Sequence, residues 1–217
     1  MAGLGTPARW CYFPPTGSRS RRAGPSSTRR PDFLRARFDH DDYRIYVGTY
    51  PNDSGTIAAV ADVAEEDPRV RLVIGCAPGP TTKADCLNTL WRALLRDEAS
   101  EGVATLGIAL HDAEDIVHSR ELAVYARWLQ HCATVQLPVL PLPHPRSRFV
   151  AGHYCDEFAE AHIKELVVRE AIGAAIPLAG VGCAIARAPL ARLAALSEGH
   201  PFAGGSLTED YEVGLRI

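Results

Sequence analysis

From Arg44 onward the apolar positions fall into short runs and helical stripes that alternate regularly. Ile45, Tyr46 and Val47 form an apolar run closed by Gly48, which reads as a strand. Ile57, Val60, Ala61 and Ala64 recur at helical spacing and predict a helix over residues 54–66. Val70 to Ile74 is a second strand, closed by Gly75. Leu87, Leu90, Trp91, Leu94 and Leu95 give the clearest helical stripe in the chain. Val103 to Leu110 is a continuous apolar run bounded by charge, the pattern of a strand buried on both faces. Leu122, Tyr125, Ala126 and Leu129 mark another helix, and Ala133 to Leu137 another strand. Alternation at this length predicts an α/β domain with a mostly parallel sheet and helices on both faces.

Beyond residue 137 the rhythm breaks. Pro138, Pro141, Pro143 and Pro145 make residues 138–148 a proline-stiffened extended connection. A helix is expected from about Tyr154 to Ile172, then a small-residue segment through Gly180-Val181-Gly182-Cys183. These glycines read as a tight turn or a close backbone approach, not a dinucleotide fingerprint, because Ile185 stands at the third glycine position. A last helix starts near Thr208-Glu209-Asp210.

Composition fits this picture. A chain of 217 residues with 47% hydrophobic residues can bury a full core without disulfide or metal staples. Its cysteines are scattered with no CxxC pair, which argues for free thiols in a reducing compartment and against a zinc ribbon. The uncharged run Ala171 to Ala186 falls short of the roughly 20 residues a spanning helix needs.

Charge divides the chain. Residues 1–40 carry eight arginines against Asp32 and Asp39, whereas the remainder carries 15 basic and 24 acidic side chains. An acidic body argues against nucleic acid as the main partner. Pro14 to Pro31 contains almost no apolar residue and cannot bury enough surface to offset its ordering entropy. Residues 1–37 are therefore expected to be a disordered or non-native basic arm.

Three segments carry candidate chemistry. His111-Asp112-Ala113-Glu114-Asp115 directly follows a buried strand, and open α/β sheets bind ligands beyond the carboxyl ends of their strands. Clustered carboxylates there suit Mg2+ or Mn2+, and equally suit a solvated acidic turn that starts the next helix. Lys83, one of only two lysines, lies between a Gly/Pro turn and a helix N-terminus. Backbone N–H groups and a point charge can hold phosphate at such a place, although a surface lysine at a helix start fits as well. Thr208-Glu209-Asp210 can supply a general base, and is also a common helix cap. His153 and His162 lack metal-ligand spacing.

In order along the chain, five segments resemble family 2 glycosyltransferases with the GT-A fold, in the membrane-associated branch that includes the cellulose synthases. They are Tyr46 to Asp53, Lys83 to Asn88, Asp112 to Asp115, Gly180 to Arg187 and Thr208 to Asp210, and the likeness covers residues 38–217 as a catalytic domain. The resemblance implies a divalent metal, Mg2+ or Mn2+, held by Asp112 with Glu114 or Asp115. It implies donor contacts from Lys83, Asp85, Asn88 and Asp112, an acceptor region at Gly182 and Cys183, and a catalytic base at Asp210 beside Glu209. Asp85 and Cys86 depart from the synthase pattern Lys-Ala-Gly-Asn-Leu-Asn.

The implied reaction is inverting, metal-dependent transfer from a nucleotide-diphosphate sugar, a UDP-sugar before others, to an acceptor hydroxyl on a saccharide or lipid. The resemblance further implies a chain incomplete at both ends. The family's first strand is expected to be missing, and the later Gln-x-x-Arg-Trp region and membrane segments to lie past Ile217. The full-length family works at the cytoplasmic face of the inner membrane, whereas this chain alone is expected to be soluble. A different class of reading is a non-catalytic nucleotide-binding or interaction module of an envelope receptor complex, favoured by the missing strand. A metal-dependent hydrolase would use the same carboxylates.

Overall fold

The computed structural model describes residues 9–13, 38–79, 81–113, 115–143, 146–206 and 208–217. A six-stranded sheet in the order β3-β2-β1-β4-β6-β5 runs through the molecule. Its strands are β1 (Arg9–Phe13), β2 (Tyr43–Thr49), β3 (Val70–Ile74), β4 (Thr105–Leu110), β5 (Thr134–Gln136) and β6 (Cys183–Ala186). The strands β1 to β4 pair in parallel, whereas β6 runs antiparallel to both β4 and β5.

The expectation of a missing first strand is corrected. Residues 9–13 pair with β2 on one side and with β4 on the other, at the centre of the sheet. The sequence Arg-Trp-Cys-Tyr-Phe is rich in strand-favouring residues, but it is too short and isolated to show a period. The rest of the expected arm, residues 1–8 and 14–37, lies outside the described residues.

Side chains on β2 alternate between two cores, as a period of two requires. Tyr43, Ile45 and Val47 face one core with Val60, Val63, Leu122 and Tyr125, and Tyr46 faces the other. The first core is covered by α1 (Ser54–Glu66) and α3 (Glu121–Trp128). The second is covered by α2 (Lys83–Glu101), with Leu87, Leu90, Trp91 and Leu94 fully buried. Burial on both faces explains why β4 is apolar without interruption.

α2 is fixed at both ends. Thr82 and Asp85 form a reciprocal capping box at its start, and Gly102 closes it in the left-handed region with φ 67°. The expected bounds of α1 and β3 coincide with those observed. The expected helix at 154–172 instead runs as α4 (Arg148–Ala159), a π-helical segment (Glu160–Glu165) and α5 (Leu166–Ala171). Apolar residues there do not mark its start, because α4 buries none of its side chains.

β6 was not expected, since its residues Cys-Ala-Ile-Ala read as part of a glycine turn. The turn itself is present, with Gly180 at φ 72° and Gly182 at φ 58°. After β6 come α6 (Arg187–Ala195) and α7 (Glu209–Arg216). Among the described residues, no helix is long and apolar enough to cross a membrane.

Candidate active site

Strand order reverses at β1 and β4, because β2 and β3 extend the sheet one way and β6 and β5 the other. Such a switch point opens a crevice beyond the carboxyl ends of the strands. The end of β4 delivers His111 and Asp112 to this crevice, and the first residue of α2 delivers Lys83.

Lys83 joins the segments. Its Nζ donates to Asp112 Oδ1 at 2.8 Å and to the carbonyl of Gly180 at 3.5 Å. Burial alone depresses the Lys83 pKa, but the charges of Asp112, Asp210 and Glu209 outweigh it and raise the value above its ordinary level. The ammonium is therefore a fixed positive charge.

Asp210 approaches from α7. A methyl group built at Gly180 would lie 2.0 Å from Asp210 Oδ2 and 3.0 Å from Lys83 Nζ. The carboxylate therefore rests directly on the glycine backbone. Asp210 Oδ1 accepts its neighbour Tyr211's N–H at 2.8 Å. Glu209 is buried, and burial pushes its carboxyl pKa up, with the charges of Asp210 and Asp112 adding to the rise. At its other end α7 packs so tightly that a methyl at Gly214 would lie 2.6 Å from both Ile176 O and Leu178 N.

The glycine turn is held by Gln136 at the end of β5, which sequence reasoning missed. Its Oε1 accepts the Ala179 N–H at 2.8 Å, while Nε2 reaches the carbonyls of Val181 and Leu137 at 2.9 Å. A lone Gln at the end of a three-residue strand carries no signal of this role.

His111 joins the acidic segment to α3. His111 Nδ1 faces Asp115 Oδ2 at 3.3 Å, and Nε2 makes a close contact with Glu121 Oε1. Burial depresses the His111 pKa, but the hydrogen bonds to Asp115 and Glu121 outweigh it and raise the value to about 8. Asp115 Oδ2 also accepts the Asp112 N–H at 2.8 Å. Glu121 was not anticipated, because ten residues separate it from His111.

The remaining expected residues separate by role. Asp85 caps α2 and borders a cavity of about 420 Å³ lined also by Thr49, Tyr50, Gly75, Arg92 and His200. Asn88 is buried, with Nδ2 donating to Phe202 O at 2.7 Å and Oδ1 accepting the Phe202 N–H at 3.1 Å. Both ends of its amide are occupied by the loop before α7. Cys183, of the expected acceptor region, has its side chain fully buried in the core. Gly182 packs against Val139, with a methyl there 3.2 Å from Val139 Cγ2. Glu114 lies outside the described residues.

For a divalent cation the donors fit in part. Asp112 is 37% exposed at its side chain, and only Oδ1 is bonded to Lys83. Among the described residues no three His, Cys, Asp or Glu side chains gather to hold a metal. Mg2+ characteristically takes one or two carboxylates and completes its shell with phosphate oxygens and water, so one half-exposed carboxylate in the crevice fits such a group in part.

The chain matches the glycosyltransferase-like family 2 over residues 34–217. It is 41% identical over 179 residues to the bacteriophage adsorption protein B of Escherichia coli (strain K12), covering 82% of this chain and 24% of that protein. The bacteriophage N4 adsorption protein B of Escherichia coli O157:H7 matches to the same extent. The chain thus spans about a quarter of the length of these curated relatives. Among solved structures, a mannosyltransferase from Pyrobaculum calidifontis in complex with GDP-Man and Mn2+ superposes with a TM-score of 0.58. It is 18% identical and covers 96% of this chain and 51% of its own, a likeness of fold.

Proposed function

This chain belongs to the glycosyltransferase-like family 2 and has the GT-A fold, and from that membership we propose that it transfers a sugar from a nucleotide-sugar donor to an acceptor hydroxyl with inversion. One observation carries the reading. Lys83 from α2, Asp112 from β4, Gly180 from the turn and Asp210 from α7 meet within hydrogen-bonding or van der Waals distance at the switch point.

In this reading Lys83 meets the donor diphosphate, and leaving Asp112 for a phosphate oxygen preserves its charge pairing. Asp112, with Glu114 at the second position of the acidic motif, would hold Mg2+ or Mn2+. A bound divalent cation neutralises the charge that develops on the leaving diphosphate. Asp210 takes the acceptor hydroxyl's proton as that oxygen attacks the anomeric carbon, and the Gly180 backbone fixes where its carboxylate points. Glu209 is buried behind it and sets the local charge.

The earlier expectation of a UDP-sugar draws no support from the matched proteins, of which the solved one carries GDP-Man, so the donor class proposed is a nucleoside-diphosphate sugar. On the same reading the domain acts at the cytoplasmic face of the inner membrane. The non-catalytic alternative drew on a missing first strand, and β1 removes that ground. The test is Asp210→Asn. It should bind nucleoside diphosphate as the wild type does and lose transfer by at least about 10²-fold; transfer at the wild-type rate would sink the assignment.

A further inference from the structure

We infer that Glu121, His111 and Asp115 form a positioning relay that aims the Asp112 carboxylate, and that Asp115 belongs to this relay and not to the metal's ligands. Its consequence for catalysis rests on the proposed function; the relay itself is a matter of hydrogen bonds within the chain.

Three observations build it. His111 is 3% exposed and wedged between the end of β4 and the start of α3. Both of its ring nitrogens face carboxylates, Asp115 at Nδ1 and Glu121 at Nε2. Each ring nitrogen thus has a carboxylate oxygen as its partner, so the imidazole is held from both sides. Glu121 is itself 6% exposed and fixed in the first turn of α3, so the far end of the relay is anchored to a helix.

The near end sets the loop. Asp115 Oδ2 accepts the Asp112 N–H at 2.8 Å, and the Asp115 N–H donates to Asp112 O at 3.1 Å. Asp112 and Asp115 are thus tied to each other by two hydrogen bonds, and the Asp112 side chain reaches Lys83. Asp115 Oδ2 already serves His111 and the Asp112 backbone. Recruiting Oδ2 to a cation would pull it off the His111 ring and off the Asp112 amide that it holds. Groups that orient a metal-binding carboxylate in this way typically matter by 10- to 100-fold in affinity.

The test compares Asp115→Asn, Asp115→Ala and Asp112→Asn. Asp115 is a quarter exposed at its side chain, so these changes leave the core intact. Manganese binding is titrated by electron paramagnetic resonance with a nucleoside diphosphate present, and hydrogen exchange of the Asp112 amide is followed without any ligand. Asp115→Asn keeps an acceptor oxygen for both donors, so manganese affinity should stay within about threefold of wild type. Asp115→Ala should weaken it at least about tenfold and speed Asp112 amide exchange by a similar factor. Asp112→Asn should abolish binding. Equal losses in Asp115→Asn and Asp112→Asn would make Asp115 a ligand and overturn the inference, and so would an unchanged Asp112 amide in Asp115→Ala. If the wild type binds no manganese with any nucleoside diphosphate, the proposed function fails, while the amide measurement still decides the relay.

Discussion

Gly180 and Asp210 touch so closely that position 180 has no room for a side chain: a methyl there would lie 2.0 Å from the Asp210 carboxylate. The backbone also sits at φ 72°, where an L-residue is strained by about 1–2 kcal/mol. Gly180→Ala should therefore lower stability by roughly that amount and displace Asp210 and Lys83 together. Thermal melting checks the first effect. Steady-state kinetics check the second, with kcat expected to fall about 10²-fold, as for other small misplacements of reacting groups.

Asn88 matches a donor-contacting position of the family pattern, yet its amide is spent on the Phe202 backbone. Asn88→Ala leaves a buried N–H and a buried carbonyl without partners, at a cost of about 1–3 kcal/mol each. The melting temperature should drop by about 2–4 °C for each kcal/mol lost. Donor KM measured below the new melting point should change little. A large rise in KM with an unchanged melting temperature would return Asn88 to the donor site.

Gln136 holds the turn that presents Gly180. Gln136→Leu keeps the volume and removes the bonds to Ala179, Val181 and Leu137, at an expected cost of about 2–3 kcal/mol for the set. Because the turn carries the carbonyl that Lys83 contacts, nucleotide affinity should fall with stability, which calorimetric titration would read. Stability lost with affinity intact would show the turn to be a scaffold alone.

A pH effect follows from the ion pair between Glu98 and Arg187. Arg187 Nη2 lies 2.8 Å from Glu98 Oε2, and Glu98 Oε1 accepts the Thr105 N–H at 2.9 Å. Burial raises the Glu98 pKa, but the bonds from Arg187 and Thr105 outweigh it and hold the carboxyl below the ordinary value of 4.5. A carboxylate whose folded pKa is depressed adds stability above its unfolded pKa, and that stability disappears as pH falls through the folded value. Wild type should thus exceed Glu98→Gln in melting temperature by a constant margin above about pH 5.5, and the margin should shrink on acidification. A margin that does not change between pH 3 and 7 would disprove the assignment.

Much of this fold can be read from the chain, for identifiable reasons. α1 and β3 lie where periodicity puts them, because each packs one continuous face on the sheet. The residues that meet at the switch point are legible for a related reason: Lys83, Asp112 and Asp210 each stand at the end of a regular element, where a short motif and a chain break coincide. What escapes is whatever depends on partners far away in sequence. β1 is five residues bounded by unpatterned chain, and its place is set by pairing with β2 and β4. β6 is built of small residues that resemble a turn until an antiparallel partner is supplied. His111 and Glu121 find each other only because α3 folds back over the end of β4. Asn88 shows another dependence on distant partners, since its amide is bonded to the backbone of a loop 114 residues away.

Helix α2 contributes Lys83 from its first turn, fastens the loop ahead of α7 through Asn88, and clamps the start of α6 through Glu98. One rod thus acts as a common datum for Lys83, the loop ahead of α7 and the start of α6. An engineer who wished to alter this site would find few neutral substitutions along the inward side of α2, because a small roll of the rod shifts all three at once. Val139, in the proline-rich connection, borders the turn at Gly182 and offers a second place to alter it.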